Sequence, residues 1–162
     1  MDKKLLIITG TPGTGKSTLA KKLAGKLGFN RLDLHHYYHQ LATRYNRQKH
    51  CYDVAPQKFT RLVQEKLSSS PKGLIVDSHL AHHLPQKLVT LCLVLTCSDV
   101  KQLQRRLKKR TYPPQKIREN LDAEIFQVCL EEAQEQGHPI IVLDTGKPFS
   151  FPVLLRKIRK SL

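Results

Sequence analysis

One octapeptide limits the fold more than any other feature of the chain: Gly10-Thr11-Pro12-Gly13-Thr14-Gly15-Lys16-Ser17, set between the apolar run Leu5-Leu6-Ile7-Ile8 and a stretch with helical spacing. A polyphosphate needs several backbone N–H groups converging on one anion, a positive helix end, and no side chain blocking the approach. Gly10, Gly13 and Gly15 let a backbone leave a buried strand, wrap the anion and turn into a helix. In that frame Lys16 reaches the β- and γ-phosphates, the Ser17 hydroxyl holds Mg²⁺, and Thr18 donates to the α-phosphate. A chance Gly-rich turn capping a helix would not also supply the lysine, the hydroxyl and the strand-to-helix context. The pattern predicts a nucleoside triphosphate site of the P-loop kind.

The rest of the chain agrees with that beginning. Apolar runs at 5–8, 74–76, 91–95 and 140–143 are rich in Ile, Val and Leu and lack alternation, as strands buried on both faces of a parallel sheet do. Helical patterns separate them. Residues 16–27 place Leu19, Leu23 and Leu27 on one face, and 57–67 place Phe59, Leu62, Val63 and Leu67 on another. The stripe Ile117, Leu121, Ile125, Val128 and Cys129 predicts one helix over 114–136, stopped at Gly137, and a final basic helix is expected over 153–162. Alternating strand and helix predict a three-layer, doubly wound parallel α/β sheet with its ligand at the carboxyl ends of the strands. At 162 residues it is expected to be a single domain.

Composition bounds the surroundings. No apolar run approaches the roughly 20 residues of a bilayer span, and two lysines lead straight into the first strand, so a cytoplasmic protein is expected. Cys51, Cys92, Cys97 and Cys129 form neither a C-x-x-C pair nor a zinc spacing and read as free, largely buried thiols. His35 and His39, one helical turn apart, have no third ligand nearby, and a metal there is rejected. Lys plus Arg outnumber Asp plus Glu by 28 to 13, a net +15 concentrated at 101–110 and 156–160. Such a surface attracts polyanions: nucleotide phosphates use few of those charges, leaving RNA contact and a merely solvated basic surface both open.

A P-loop alone does not tell a kinase from an ATPase or a GTPase. Asp77, ending Leu74-Ile75-Val76-Asp77, is placed to order Mg²⁺ through its water shell, although a helix N-cap or a turn Asp at the strand end would also explain it. No Asn-Lys-x-Asp guanine-reading sequence occurs. Arg106 and Arg110 precede a short turn from which guanidinium groups can meet transferring phosphates, while Arg105 reads as solvent-facing.

Four segments together resemble one family. They are Gly10 to Thr18; Val76-Asp77-Ser78-His79-Leu80 followed by Leu84-Pro85; Arg106-Leu107 with Arg110 and Tyr112; and the segment 116–128, Lys-Ile-Arg-Glu-Asn-Leu-Asp-Ala-Glu-Ile-Phe-Gln-Val. In matching order through nearly the whole chain, they resemble the adenylate kinase isoenzyme six family, short-lid P-loop kinases of archaea and eukaryotes that also act in small-ribosomal-subunit maturation. The resemblance implies transfer from ATP to AMP with an associated ATPase activity, a monophosphate-binding insertion near 31–56 and a lid near 109–119. It implies that Gly13, Gly15, Lys16, Ser17 and Thr18 hold ATP, that Arg110 reaches over it, and that Asp77 and His79 form the family's Asp-x-His pair, with His79 positioning water or coupling hydrolysis. It further implies a small-subunit ribosomal protein partner of the S11 type, beside which a basic surface would face rRNA.

Two departures stand out. Eukaryotic members are acidic across the insertion, whereas 34–50 here is basic; and they carry Glu-Arg after the Pro85 position, where this chain has Gln86-Lys87. Asp33 is expected to open the insertion and touch substrate, a helix N-cap explaining it equally well. Two rivals share the triphosphate site: an ATPase that remodels a ribosomal partner, and a basic assembly factor whose nucleotide only controls binding.

Overall fold

The chain, seen in a computed structural model, is described over residues 3–48 and 51–162, with the Cys51 and Tyr52 side chains outside the description. The basic run 34–50 is therefore described through Gln48, and the Cys51 thiol lies outside the described residues.

Leu5 and Ile7 point to one side of the first strand, Leu6 and Ile8 to the other, and all four are fully buried. A strand apolar on both faces has to be covered twice, and it sits at the centre of the fold. The elements run β1 (Lys4–Gly10), α1 (Lys16–Leu27), β2 (Asn30–Asp33), a 3₁₀ turn (Leu34–Tyr37), α2 (Tyr38–Leu41), β3 (Ala42–Asn46), β4 (Cys51–Val54) and α3 (Pro56–Ser69). They continue with β5 (Gly73–Asp77), 3₁₀ turns at Ala81–His83 and Gln86–Leu88, β6 (Leu91–Thr96), α4 (Val100–Lys108), α5 (Pro114–Ile125), α6 (Val128–Glu135), β7 (Ile140–Asp144) and α7 (Phe151–Ser161). The order across the sheet is β2-β5-β1-β6-β7, and each pairing is parallel.

Phe59 and Val63 of α3 and Ala133 of α6 cover the face bearing Leu5, Ile7, Val76 and Val94. Leu19 and Leu23 of α1 and Leu154 and Ile158 of α7 cover the face bearing Leu6, Ile8, Ile75 and Leu93. This is the expected three-layer sandwich. A third cluster, Leu103, Leu107 and Ile117 with Tyr112, seats the turn between α4 and α5.

Three features depart from the sequence expectation. The helix expected over 114–136 is two helices, broken where Gln127 adopts φ 52° and Phe126 is left largely exposed. Its apolar stripe runs on through the break, so periodicity alone did not show it. The four-residue edge strand β2 was too short and too polar to register, and the antiparallel β3–β4 hairpin, whose central residues Thr43 to Tyr45 are exposed, has no apolar alternation to reveal it. Cys92 and Cys97 are buried and free as expected, and Cys129 is free and half-buried.

Candidate active site

Central β1 parts from its neighbours at Gly10, where strand order reverses between β5 and β6, and the crevice opens there. Gly10 has φ +143°, and a Cβ on it would lie 2.3 Å from the Leu95 carbonyl oxygen, so no other residue fits. Gly15 is the left-handed N-cap of α1 (φ 96°) and aims the first helical N–H groups into the crevice. Ser17 and Thr18 are exposed in the first turn of that helix, where an anion and its metal ion can reach them.

The outer side of the loop is braced from three directions. Thr14 Oγ1 donates to Thr11 O at 2.8 Å, and Thr145 Oγ1 donates to the carbonyls of Thr14 (2.8 Å) and Thr96 (3.0 Å). The Arg106 guanidinium donates to Gly13 O (3.3 Å) and Thr145 O (3.2 Å). Arg106 thus spends its donors on loop carbonyls, tying α4 and the end of β7 to the P-loop. Sequence reading had no signal for Thr145, whose partners are 131 and 49 residues away.

Lys16 folds back on its own loop, with Nζ donating to Gly10 O at 2.8 Å and Thr11 O at 3.1 Å. Burial pushes its ammonium down from 10.5 to about 8, Asp77 pulling it back up and the nearby Arg110 pushing it further down. Arg110 itself is exposed, in the turn after α4. An incoming phosphate would give Lys16 the counter-charge that burial withholds.

Asp77 and Asp33 end neighbouring strands in direct register. Between them sits Arg31, whose Nη2 donates to Asp77 Oδ2 at 2.7 Å and Asp33 Oδ2 at 2.9 Å. Asp77 is buried, so this guanidinium is what makes its charge tolerable. No helix begins at Asp77, which removes the N-cap alternative. Asp33 does cap: its Oδ1 accepts the His35 N–H at 3.1 Å and starts the 3₁₀ turn. Arg31 escaped the sequence reading because the strand that carries it did.

His79 is half-buried, its imidazole pushed from 6.5 down to about 3 by burial and then by Lys16. At neutral pH it is a neutral imidazole within electrostatic reach of Lys16. Glu124 of α5, 7% exposed, accepts the Cys97 N–H at 2.6 Å and ties the segment after the α4–α5 turn to the end of β6.

Residues 6–127 match an AAA domain family. An adenylate kinase isoenzyme 6 homolog of Caenorhabditis elegans is 36% identical over 85% of this chain and 76% of its own length. Its counterpart in Schizosaccharomyces pombe is 36% identical over 86% and 79%. The chain belongs to the adenylate kinase isoenzyme 6 family. A putative adenylate kinase of Methanocaldococcus jannaschii, 33% identical over 83% of the chain and 75% of its length, shows that the similarity extends to archaeal proteins. Among solved structures, Mycoplasma mycoides deoxyadenosine kinase with bound dATP superposes at TM-score 0.60 and 17% identity, covering 96% of this chain and 99% of that one. Bacteroides thetaiotaomicron shikimate kinase gives 0.60 at 16% identity, covering 97% and 96%. These share the P-loop kinase fold. As a member of the isoenzyme 6 family the protein is a phosphotransferase of the nucleotide kinase kind, and its P-loop, Lys16 and Asp77 lie together at the crevice that such chemistry requires.

Proposed function

We propose that this phosphotransferase moves the γ-phosphoryl of Mg-ATP in line onto AMP, giving two ADP, with hydrolysis of ATP as a side reaction. One observation carries the reading: Asp33, from which the 31–56 insertion departs, stands in register with Asp77, one strand from the P-loop strand. A monophosphate held by that insertion would face a γ-phosphate held at Lys16.

Lys16 and the P-loop amides hold the donor, Thr18 assisting at the α-phosphate, and Arg110 reaches over it from the 109–119 lid. Mg²⁺ fits the oxygen donors present: Ser17 would ligate it directly, and Asp77, already held by Arg31, would reach it through water. The ion would supply charge neutralisation on the phosphates. Arg106, held on the Gly13 and Thr145 carbonyls, adds its positive charge to the phosphate site from behind the loop, and closure of the lid excludes water. Where closure is incomplete, neutral His79 orients a water as acceptor, and hydrolysis follows. Asp33 contacts the monophosphate side.

A role in small-subunit maturation draws on a second observation. Lys21, Lys22 and Lys26 of α1 and Arg156, Lys157, Arg159 and Lys160 of α7 are exposed on two adjoining helices, linked by Arg159 donating to Lys26 O and by Lys22 over the Phe151 ring. This surface suits the rRNA beside an S11-type ribosomal protein, in a cytoplasmic setting or, in a eukaryote, a nuclear one.

Counting ADP formed per ATP consumed, with and without AMP, tests the main reading. Two ADP per ATP, dependent on AMP, is the expected result. One ADP plus free phosphate, indifferent to AMP, would leave an ATPase acting on a partner.

A further inference from the structure

We propose that His82, His83 and Glu132 form a binding site for a divalent transition-metal ion of the zinc class, set behind the P-loop and separate from the Mg-nucleotide site.

The three side chains come from two elements, the 3₁₀ turn after β5 and helix α6, and their ligand atoms lie within 4.8 Å of one another. Both imidazoles present Nε2 to the same carboxylate oxygen, His82 at 2.7 Å and His83 at 3.9 Å from Glu132 Oε2. In a tetrahedral site with metal–ligand bonds of about 2.0–2.2 Å, ligand atoms stand roughly 3.3–3.5 Å apart. The two spacings from Glu132, 2.7 and 3.9 Å, bracket that value and no pair of ligand atoms exceeds 4.8 Å, so side-chain rotations on the order of 1 Å close the site.

The donor set selects the ion. Two imidazoles and one carboxylate suit Zn²⁺, Co²⁺ or Ni²⁺, whereas Mg²⁺ takes oxygen ligands. His82 is buried, and burial holds its ring well below the ordinary histidine range, at about 4, so that it is neutral. The His83 and Glu132 side chains are 44% and 42% exposed, which leaves an entry path and room for a water ligand.

The surroundings orient the buried ligand as second shells do in metal sites. His82 Nδ1 lies 2.7 Å from Thr9 Oγ1, and His138 Nε2 donates to the His82 carbonyl at 2.8 Å. Without metal, the Thr9 hydroxyl donates to Nδ1 while Nε2–H donates to Glu132. With metal on Nε2, the proton moves to Nδ1 and donates to Thr9 Oγ1, and the Thr9 hydroxyl turns to its second acceptor, the His79 carbonyl at 3.4 Å. Both tautomers are therefore satisfied. Thr9 immediately precedes Gly10, so the hydrogen-bond partner of the buried ligand borders the phosphate loop, with the ion on the opposite side of the ring.

The test is titration of the full chain with Zn²⁺ and Co²⁺ in the presence of excess Mg²⁺, alongside His83→Gln and Glu132→Gln, which alter partly exposed side chains and spare buried His82. One equivalent is expected at low-micromolar free Zn²⁺. Either substitution removes a ligand and should weaken it by more than the roughly tenfold to hundredfold that loss of an outer-shell partner costs, while His35→Gln/His39→Gln leaves it intact. The Co²⁺ form should show the intense visible bands of a four-coordinate site without thiolate charge transfer, and ¹⁵N NMR should show the His82 proton on Nδ1. Undiminished Zn²⁺ affinity in both variants, a thiolate band, or no retained ion would overturn the proposal.

Discussion

The two sides of the crevice are built differently. On the donor side, the P-loop is fixed by Thr14, Thr145 and Arg106, over a sheet whose central strands are fully buried. On the acceptor side, from 34 to 54, only Leu34 and Leu41 are buried among the residues described, and the β3–β4 hairpin stands out from the body with Thr43 to Tyr45 exposed. On the proposed function, a triphosphate meets backbone geometry that must be right before the ligand arrives, and a monophosphate meets a segment with little packing to hold it in one place. Low local packing is the physical condition for closure.

The contrast predicts that damage on the donor side abolishes chemistry while damage on the acceptor side shifts affinity. Lys16→Ala should lower kcat on the order of 10³-fold with a much smaller effect on Tm, because loss of the Nζ donor to the Gly10 and Thr11 carbonyls is offset by removal of an ammonium that burial disfavours. A kcat within tenfold of wild type would break the contrast. Arg31→Met, at the boundary between the two sides, leaves Asp77 buried without its guanidinium and should cost about 3 kcal/mol in denaturant unfolding. Asp77→Asn in the same chain should restore much of that loss.

Acid should act through the packed interior. His82 is neutral in the fold, with a pKa of about 4 against 6.5 for the ordinary group. Its unfolded form binds more protons across that window, so stability falls as pH drops through it. At pH 5 this amounts to on the order of 2 kcal/mol, and His79, shifted in the same direction, adds to the slope. Unfolding curves at pH 7 and pH 5 should show the loss, and a flat profile would contradict the neutral state of buried His82 and half-buried His79. Because Lys16 sits at about 8 without ligand, ATP binding at pH 8 should take up about half a proton, read by calorimetry in buffers of different ionisation heat. The smallest effect is expected at the hairpin: Arg44→Ala, which removes an exposed pair with Asp53, should change stability by less than about 0.5 kcal/mol and alter only the KM for AMP.

What the sequence disclosed follows the same division. Runs such as Leu5 to Ile8 and Leu91 to Leu95 declare buried strands, and the glycine spacing declares the loop, because each is imposed by local geometry. Arg31 and Thr145 were invisible for the opposite reason: their partners lie 46 and 131 residues away, brought close only by strand register and loop packing. In the sequence Asp33 and Asp77 stand as separate carboxylates, 44 residues apart. Their shared guanidinium depends on the edge strand β2, whose residues Asn-Arg-Leu-Asp carry no strand pattern. The break at Gln127 was hidden because an apolar stripe records which face is buried, not whether the helix beneath it is continuous.

On the proposed function, a P-loop with Lys16 at its head passes phosphate to an acceptor held beside β2, two strands away across β5. Single-turnover reaction of ATP carrying a radiolabelled γ-phosphate, with the enzyme in excess and AMP present, tests it most directly. Label is expected in the β-position of ADP made from AMP, with none of that product from Lys16→Ala. Label appearing only as inorganic phosphate, at a rate unaffected by AMP, would contradict it.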